Sequence, residues 1–502
     1  MGMTKVAAKP VLKRVMRPWP VRPAAFVSLA HGLIHENGTV LRWEGEETLE
    51  FVLDLATIEQ WGEDRCQVIY LVGGWNAAST PPTEWFTAPE GWQRSTYYRN
   101  PLIAVYKGLG ANQGRKVTLY MTAQWFGECG SASLCCKAYT RLRGLLRGTF
   151  DSGCDLLGTP ARTGLDLLER TLPRNREGVS YEYPALDDQV REIIEHNVGQ
   201  GRMEFLPAGE TTVQTDTLYI LDATWMYAAC IRHLPAPPLQ HDQVNEYAGY
   251  RCGFYLLDFQ VPQGWQHIGL LPTWDRKQQK AIYPYEHDGA WYPALVSGEE
   301  LRLAIENGWL YRIRERWLFA EDRAANADPS RAWSERLRML RAACTEQREH
   351  EIAPLLRSAI RSMTIKAIGG LSRKGRTEQV ETPHEQAEQV DPASVLEVTP
   401  TVIRWERSIP LASEMLGFNH PEWAAMVWCR SRARLARAAL KLPRAAVIAL
   451  RNDAIVTTFD PGWQDDGKPG TFRTKARIDL SGQGVPQDER TYRWLLKGVE
   501  HA

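Results

Sequence analysis

At 502 residues the chain is too long for one hydrophobic core and suits roughly two to four modules of about 100–200 residues. Hydrophobic residues make up 44% and charged residues 24%, and no run approaches the roughly 18 apolar residues of a membrane span, so a soluble protein without a membrane partner is expected. Sixty basic and sixty acidic residues give a formal net charge of zero, so bulk charge selects neither anionic nor cationic partners.

The basic start of the chain (MGMTKVAAKPVLKRVMRPWP) has no apolar core ahead of a small-residue cleavage site. A secretory signal is therefore not expected, and nine cysteines point to reduced thiols in a cytoplasm. Cys129, Cys135, Cys136 and Cys154 cluster in sequence. No C-x-x-C pair stands opposite a second pair at finger spacing, so buried free thiols are the expectation and a zinc site the alternative.

Up to about residue 125, short apolar runs (AAFVSLA, LEFVLDL, CQVIYLVGG, VTLYMTAQWF) alternate with polar turns, the rhythm of an α/β layer. SASLCCKAYTRLRGLLR then has helical periodicity, and Thr159-Pro160 reads as an N-cap followed by proline at the first helical position of a helix that Pro173 ends. A polar connection leads to a second strand-rich block, from TDTLYILDATWMYAACI through YRCGFYLLDFQVP to KAIYPYEHDGAWYPALVS. Ser297-Gly298-Glu299-Glu300 opens a helix closed by Gly308, and the strand-like WLYRIRERWLF follows. Arg331 to Ile368 reads as two long helices, with Pro354 interrupting or starting the second. From Ser372 to about Pro400 the chain is polar and is expected to be an exposed loop or tip.

Between Thr401 and Arg451 nine Lys/Arg face three Glu. Arg430, Arg434, Arg437 and Lys441 recur at helical spacing on one face, with Trp428, Leu435, Ala439 and Leu442 opposite, the pattern of an amphipathic helix docked on a core. The basic face suits either solvent or the phosphates of DNA.

Two acidic positions carry most of the chemistry. In LYILDATWMYAAC an apolar strand delivers Asp222. A buried carboxylate is costly unless paired, and a divalent cation is one such partner; an Asp capping the next turn is the other reading. In AAVIALRNDAIVTT, Asp453 stands at the tip of what reads as a β-hairpin, or in an ordinary Asn-Asp turn.

Together these segments resemble the motifs of family B DNA polymerases of phages and plasmids. Asp222-Ala223-Thr224-Trp225-Met226-Tyr227 keeps the Asp and Tyr of D-x-x-S-L-Y-P, and Arg451-Asn452-Asp453-Ala454 keeps the second carboxylate of D-T-D-S. Between them, Arg361 to Gly369 is similar to K-x-x-x-N-S-x-Y-G, with Arg for Lys, Ile365 for Asn and Ile368 for Tyr. Gly253 to Phe319 is similar to the family's palm, where a strand ending in V-P leads to a glycine-rich hairpin and then E-L-x-x-A-x-x-x-G.

The resemblance implies a mixed α/β, multidomain right-hand polymerase: a degenerate exonuclease-like domain over 1–200, palm over 201–330, helical fingers and a tip loop over 331–400, palm again over 401–480, and a short thumb or tail over 481–502. It implies template-directed DNA synthesis in a bacterial host cytoplasm, with primer-template DNA, dNTPs and a priming or processivity protein as partners. Asp222 and Asp453 would be catalytic and would hold Mg²⁺ or Mn²⁺. Tyr227, Arg357, Arg361 and the run Ala223, Thr224, Trp225 and Met226 would bind the nucleotide.

The alternative is a polymerase-like DNA-binding scaffold with weak or lost chemistry, favoured by Arg451, Ile365 and Ile368. The family's exonuclease motifs supply acidic metal ligands, whereas AAFVSLAHG has no acid and VIYLVGGWNAA offers Asn76 without a following Asp, so proofreading is expected to be absent. Trp75, Trp85 and Trp92 would be template guides or core tryptophans.

Overall fold

The computed structural model describes residues 24–29, 32–42, 53, 68–73, 87–88, 90–94, 102–107, 116–174, 183, 186–197, 201–206, 217–235, 239–242, 245–249, 252–275, 280–319, 328–345, 350–372, 376–384, 390, 395–399, 401–409 and 419–480. The chain divides into two compact units, one of Met1–Glu182, Trp225–Ala236 and Asp322–Ala367, the other of Tyr183–Thr224, Pro237–Glu321 and Ile368–Ala502. Asn76, Trp75 and Trp85, like the expected thumb or tail, lie outside the described residues.

In the first unit, strands β1 (Ala24–Ser28), β2 (Gly32–His35), β3 (Val40–Leu41), β4 (Val68–Leu71), β5 (Trp92–Arg94), β6 (Leu102–Lys107) and β7 (Lys116–Met121) form a sheet in the order β3-β2-β1-β4-β7-β6-β5. The central β1, β4 and β7 are parallel and the flanking pairs antiparallel. Alternate side chains of β1 serve opposite faces. Ala25 and Val27 join an aliphatic core with Leu33, Ile69, Leu71 and Leu119, while Phe26 stacks on Tyr70 at 5.2 Å on the other side. Trp92 belongs to the aliphatic core, so it is a packing residue and not a template guide.

Helix α1 (Ala123–Phe126) follows the sheet, and α2 (Ala132–Thr149) starts where the Ser131 hydroxyl accepts the Leu134 N–H. Thr159 caps α3 (Pro160–Thr171) in the same way, and Pro160 occupies a position with no N–H to lose. The remaining helices of this unit are α5 (Met226–Ile231), α7 (Arg331–Thr345) and α8 (Ala353–Leu371), the last with Pro354 as its second residue and crossing into the second unit only after Ala367. At Gly164 a Cβ would lie 2.5 Å from the Met363 carbonyl and 2.8 Å from the Ala367 Cβ, so glycine is what lets α3 approach α8. The helices expected to form separate fingers thus fall in the same compact unit as the N-terminal sheet.

Cys135, Cys136 and Cys154 are buried free thiols, and burial pushes Cys154 up to about 12. Among the described residues no three His, Cys, Asp or Glu side chains group as metal ligands.

The second unit opens with α4 (Asp188–Asn197), β8 (Met203–Phe205) and β9 (Thr217–Ala223). An antiparallel sheet of order β10-β15-β11-β14 follows, built from β10 (Leu239–Asp242), β11 (Gly253–Gln260), β14 (Tyr292–Ser297) and β15 (Leu310–Phe319), with the hairpin β12 (Thr273–Asp275) and β13 (Lys280–Ile282) inserted. Helix α6 (Gly298–Glu306) begins with a capping box, Ser297 and Glu300 each satisfying the other's backbone N–H, and Gly308 at φ +74° follows its end.

Where a polar tip loop is expected, strands β16 (Arg376–Pro383), β17 (Val395–Val398) and β18 (Val402–Ile409) form a three-stranded antiparallel sheet. Helix α9 (Pro421–Ala439) leads to β19 (Val447–Arg451), β20 (Ala454–Thr457) and β21 (Phe472–Asp479). These join β9 and β8 in a five-stranded antiparallel sheet of order β21-β9-β20-β19-β8. Leu218, Ile448, Ala449, Val456 and Ile478 form its core. No helix among the described residues is long and apolar enough to cross a membrane.

Candidate active site

The sheet register brings the two aspartates to one end of neighbouring strands. Asp222 is the penultimate residue of β9 and stands opposite Ala454, the first residue of β20, while the Asp453 carbonyl accepts the Ala223 N–H at 2.8 Å. Asp453 lies in the two-residue loop of the β19–β20 hairpin, as the sequence led us to expect. Asn452 takes φ +53°, a left-handed conformation that Asn tolerates better than most residues, and its N–H donates to the Arg202 carbonyl at 2.6 Å. Arg202 is itself buried, its guanidinium 3.9 Å from the Tyr283 ring centre and donating to the Gly269 carbonyl at 2.8 Å. The hairpin tip is therefore held from both sides.

On the other flank of β9, β21 carries a bulge between Thr474 and Ala476. Bulges re-aim side chains. Here the extra residue, Lys475, places its ammonium 3.6 Å from Asp222 Oδ1; the Asp222 side chain is 15% exposed and that of Lys475 48%. Sequence reasoning missed this cation, because only the register reveals it.

Ala223 and Thr224 are buried. Thr224 donates its N–H to the Thr471 carbonyl at 2.9 Å, accepts the Gly470 N–H at 2.5 Å, and donates its hydroxyl to Asp465 at 3.2 Å. Asp465 is in turn paired with Arg473 at 2.6 Å. This web fixes the backbone directly after Asp222.

Trp225, Met226 and Tyr227 belong to the first unit. Trp225 has φ +53° and precedes α5, whose Met226 and Tyr227 are buried. The Arg341 guanidinium of α7 lies 4.5 Å from the Trp225 ring centre, a cation–π contact absent from the sequence reading. Of the three non-glycine residues with positive φ among those described, Trp225 is three positions after Asp222 and Asn452 is one before Asp453. Backbone strain of this kind gathers at functional sites.

On α8 of the same unit, Arg357 and Arg361 are both exposed and share a face one turn apart, Ile365 is half-buried and Ile368 is fully buried. Lys366 Nζ donates to the Gln124 carbonyl at 3.3 Å, a role the sequence does not announce.

The basic helix α9 differs from expectation at its start. Arg430 is buried and paired with Glu299 at 2.9 Å, so it is not on the open face. Arg434 and Lys441 are exposed, and Arg437 is half-buried against Glu306 at 3.4 Å. Arg432, which the sequence reading passed over, is buried in an ion pair with Glu300 at 2.8 Å.

As a donor set, Asp222 and Asp453 offer hard carboxylate oxygens, one from β9 and one from the β19–β20 loop. Magnesium is commonly bound by one or two carboxylates, with substrate phosphates and water completing its coordination, so the pair fits such an ion. No third acidic, His or Cys ligand joins them among the described residues.

No protein-family profile and no curated protein matches this chain. Its fold is nevertheless similar to that of the DNA polymerase of phage phi29. An orthorhombic crystal structure of that enzyme aligns with a TM-score of 0.57 at 10% identity, covering 91% of this chain and 85% of the other. The phi29 enzyme complexed with primer-template DNA and incoming nucleotide substrates aligns with a TM-score of 0.57 at 10% identity, over 91% and 86% of the two chains. Its binary complex with primer-template DNA gives 0.55 at 10% identity, over 91% and 85%. The mixed α/β fold of this chain thus resembles that of phi29 DNA polymerase, at very low sequence identity.

Proposed function

We propose that this chain is a template-directed DNA polymerase that adds deoxynucleotides to a primer 3′-hydroxyl. The observation that carries the reading is the pairing of β9 with β20, which sets Asp222 beside Asp453 in a polymerase fold. Asp222 and Asp453 would hold Mg²⁺ or Mn²⁺. When bound, such ions lower the pKa of the primer hydroxyl and neutralise the triphosphate as pyrophosphate leaves.

The chain's own residues do the positioning. Arg361, with Arg357 one turn away, would grip the triphosphate, Ala223 to Met226 would lie along the nucleotide, and Tyr227 would sit under the sugar and exclude a 2′-hydroxyl. Arg434, Arg437 and Lys441 would contact DNA phosphates irrespective of sequence, because they carry charge but no amide to read base edges. Arg430, already engaged by Glu299, drops out of that set.

Proofreading is absent in this reading. It is supported by a first strand without acids and by the pairing of nearby acids: Glu36 and Asp155 with Arg143, and Asp151 and Asp166 with Arg170. The second reading, a replication scaffold without chemistry, is favoured by Arg451 and by the Lys475 ammonium beside Asp222.

Primer extension with Mg²⁺ or Mn²⁺ by the wild type beside Asp222→Asn and Asp453→Asn separates the two. We expect extension by the wild type and its loss by orders of magnitude in each variant, without added loss in the double variant, since either change dismantles one site. Equal rates in all of them would refute metal-assisted nucleotidyl transfer here.

A further inference from the structure

A cleft of about 680 Å³ in the second unit joins α6, α9 and the segment entering β21. Its wall carries four cations, Arg302, Arg434, Arg437 and Lys441, against one acid, Glu299, which is already committed to Arg430. Arg302 and Arg437 share Glu306, at 3.7 and 3.4 Å. Arg434 and Lys441 are exposed and have no partner among the described residues, which leaves two uncompensated charges seven positions apart.

The same cleft is also lined by two aromatic rings, Trp463 and Phe472. Trp463 is half-buried, its ring edge-on to Phe472 at 6.1 Å, and its carbonyl accepts the Thr474 N–H at 3.0 Å. The indole is thereby fixed to the first residues of β21 while part of it faces the cleft.

We propose that this cleft is a track for one unpaired DNA strand, with Arg434 and Lys441 on its phosphates and a base stacked on Trp463. Uncompensated cations demand a polyanion, and a fixed indole in the same cleft adds the π-face that an unstacked base recognises. A duplex keeps its bases paired and stacked, so it cannot use Trp463. The volume is that of a small-ligand pocket, enough for about one or two nucleotides and too small to enclose a double helix. The arrangement deepens the polymerase reading by assigning a place to unpaired DNA, and it borrows from that reading only the identity of the polyanion.

The test compares binding of a labelled oligo-dT strand and a blunt duplex of equal length, by fluorescence anisotropy across a salt series, in the full chain. Arg434→Gln and Lys441→Gln should each make the single-strand salt slope shallower by about 0.7. Trp463→Leu should weaken single-strand binding roughly five- to a hundredfold and leave duplex binding unchanged, and Trp463→Phe should keep most of the affinity. Circular dichroism checks that each variant folds; should Trp463→Leu fail to fold, Trp463→Phe and the two exposed cations still decide the matter through affinity and slope.

An unchanged salt slope in both Gln variants, or an equal loss of single-strand and duplex binding in Trp463→Leu, overturns the proposal. The measurement is independent of catalysis. If wild-type extension fails while this pattern holds, the polymerase reading falls and the track stands; if extension holds without the pattern, the track alone falls.

Discussion

At Asp222, two influences of opposite sign meet. The Asp453 carboxylate, in the loop before the adjacent strand, would favour a bound cation, while the Lys475 ammonium at 3.6 Å already supplies positive charge. An ion pair with one partner about half exposed is worth about 1 kcal/mol or less, so Lys475 tempers metal binding without abolishing it. Lys475→Met should therefore raise Mn²⁺ affinity by up to about fivefold, read by calorimetry or electron paramagnetic resonance without nucleotide. Arg451→Asp should act in the same direction by restoring the first acid of D-T-D-S, and unchanged Mn²⁺ affinity in both variants would show that neither cation opposes the ion. The strand that delivers Asp222 and the hairpin tip that carries Asp453 were legible in the apolar run before Asp222 and in the Asn-Asp turn, whereas pairing the two positions took the resemblance to polymerase motifs. Lys475 and Arg341 were not, since a bulge register and a cross-helix stacking contact have no signature in local sequence.

Among the elements, the α6–α9 pair shows how much a local motif can conceal. The S-G-E-E signal correctly announces a capped helix, but Glu300 also pairs with Arg432 across to α9, both side chains almost fully buried. Removing one partner leaves a buried charge uncompensated, so Glu300→Gln should lower the unfolding free energy by about 3–5 kcal/mol, and adding Arg432→Met should recover much of it. Urea denaturation of the single and double variants measures both; a double variant no more stable than the single would mean that the loss lies in the cap rather than in the charge.

His267 provides a pH-dependent counterpart: its Nδ1 accepts the Ile268 N–H at 2.9 Å and its Nε2 meets the Leu442 carbonyl at 3.0 Å, which pins the neutral ring. Burial lowers its pKa, so the unfolded chain binds the proton more readily, and stability present above about pH 6.5 is lost as pH falls from there towards the folded value. His267→Gln should flatten that part of the stability curve relative to wild type. The β16–β18 sheet went unread for a different reason. Its strands mix polar and apolar residues without clean alternation, as in RTEQVETP, so the sequence did not distinguish it from a loop.

For the whole molecule, a fold similar to phi29 DNA polymerase at 10% identity means that this fold is held by burial pattern rather than by particular residues. That explains why element order was readable while the grouping into two compact units was not: which helices cluster depends on close approaches such as Gly164 against Met363, which no periodicity encodes. The same reasoning bears on the first unit. Its first strand, β1, presents only apolar residues and one serine, and Arg143 ties Glu36 to Asp155, with Nε 2.6 Å from Asp155 Oδ1. Acids neutralised by buried guanidinium groups are poor ligands for a pair of divalent ions, and hydrolysis of a DNA 3′ end by such ions needs several free carboxylates. Labelled single-stranded DNA incubated with the protein and Mg²⁺ should accordingly keep its full length over times that give complete primer extension. The same result is expected for Asp222→Asn, whose substitution lies in the other unit. Metal-dependent 3′ shortening that co-elutes with the protein on gel filtration and survives in Asp222→Asn would show that the first unit retains a working nuclease site despite these pairs.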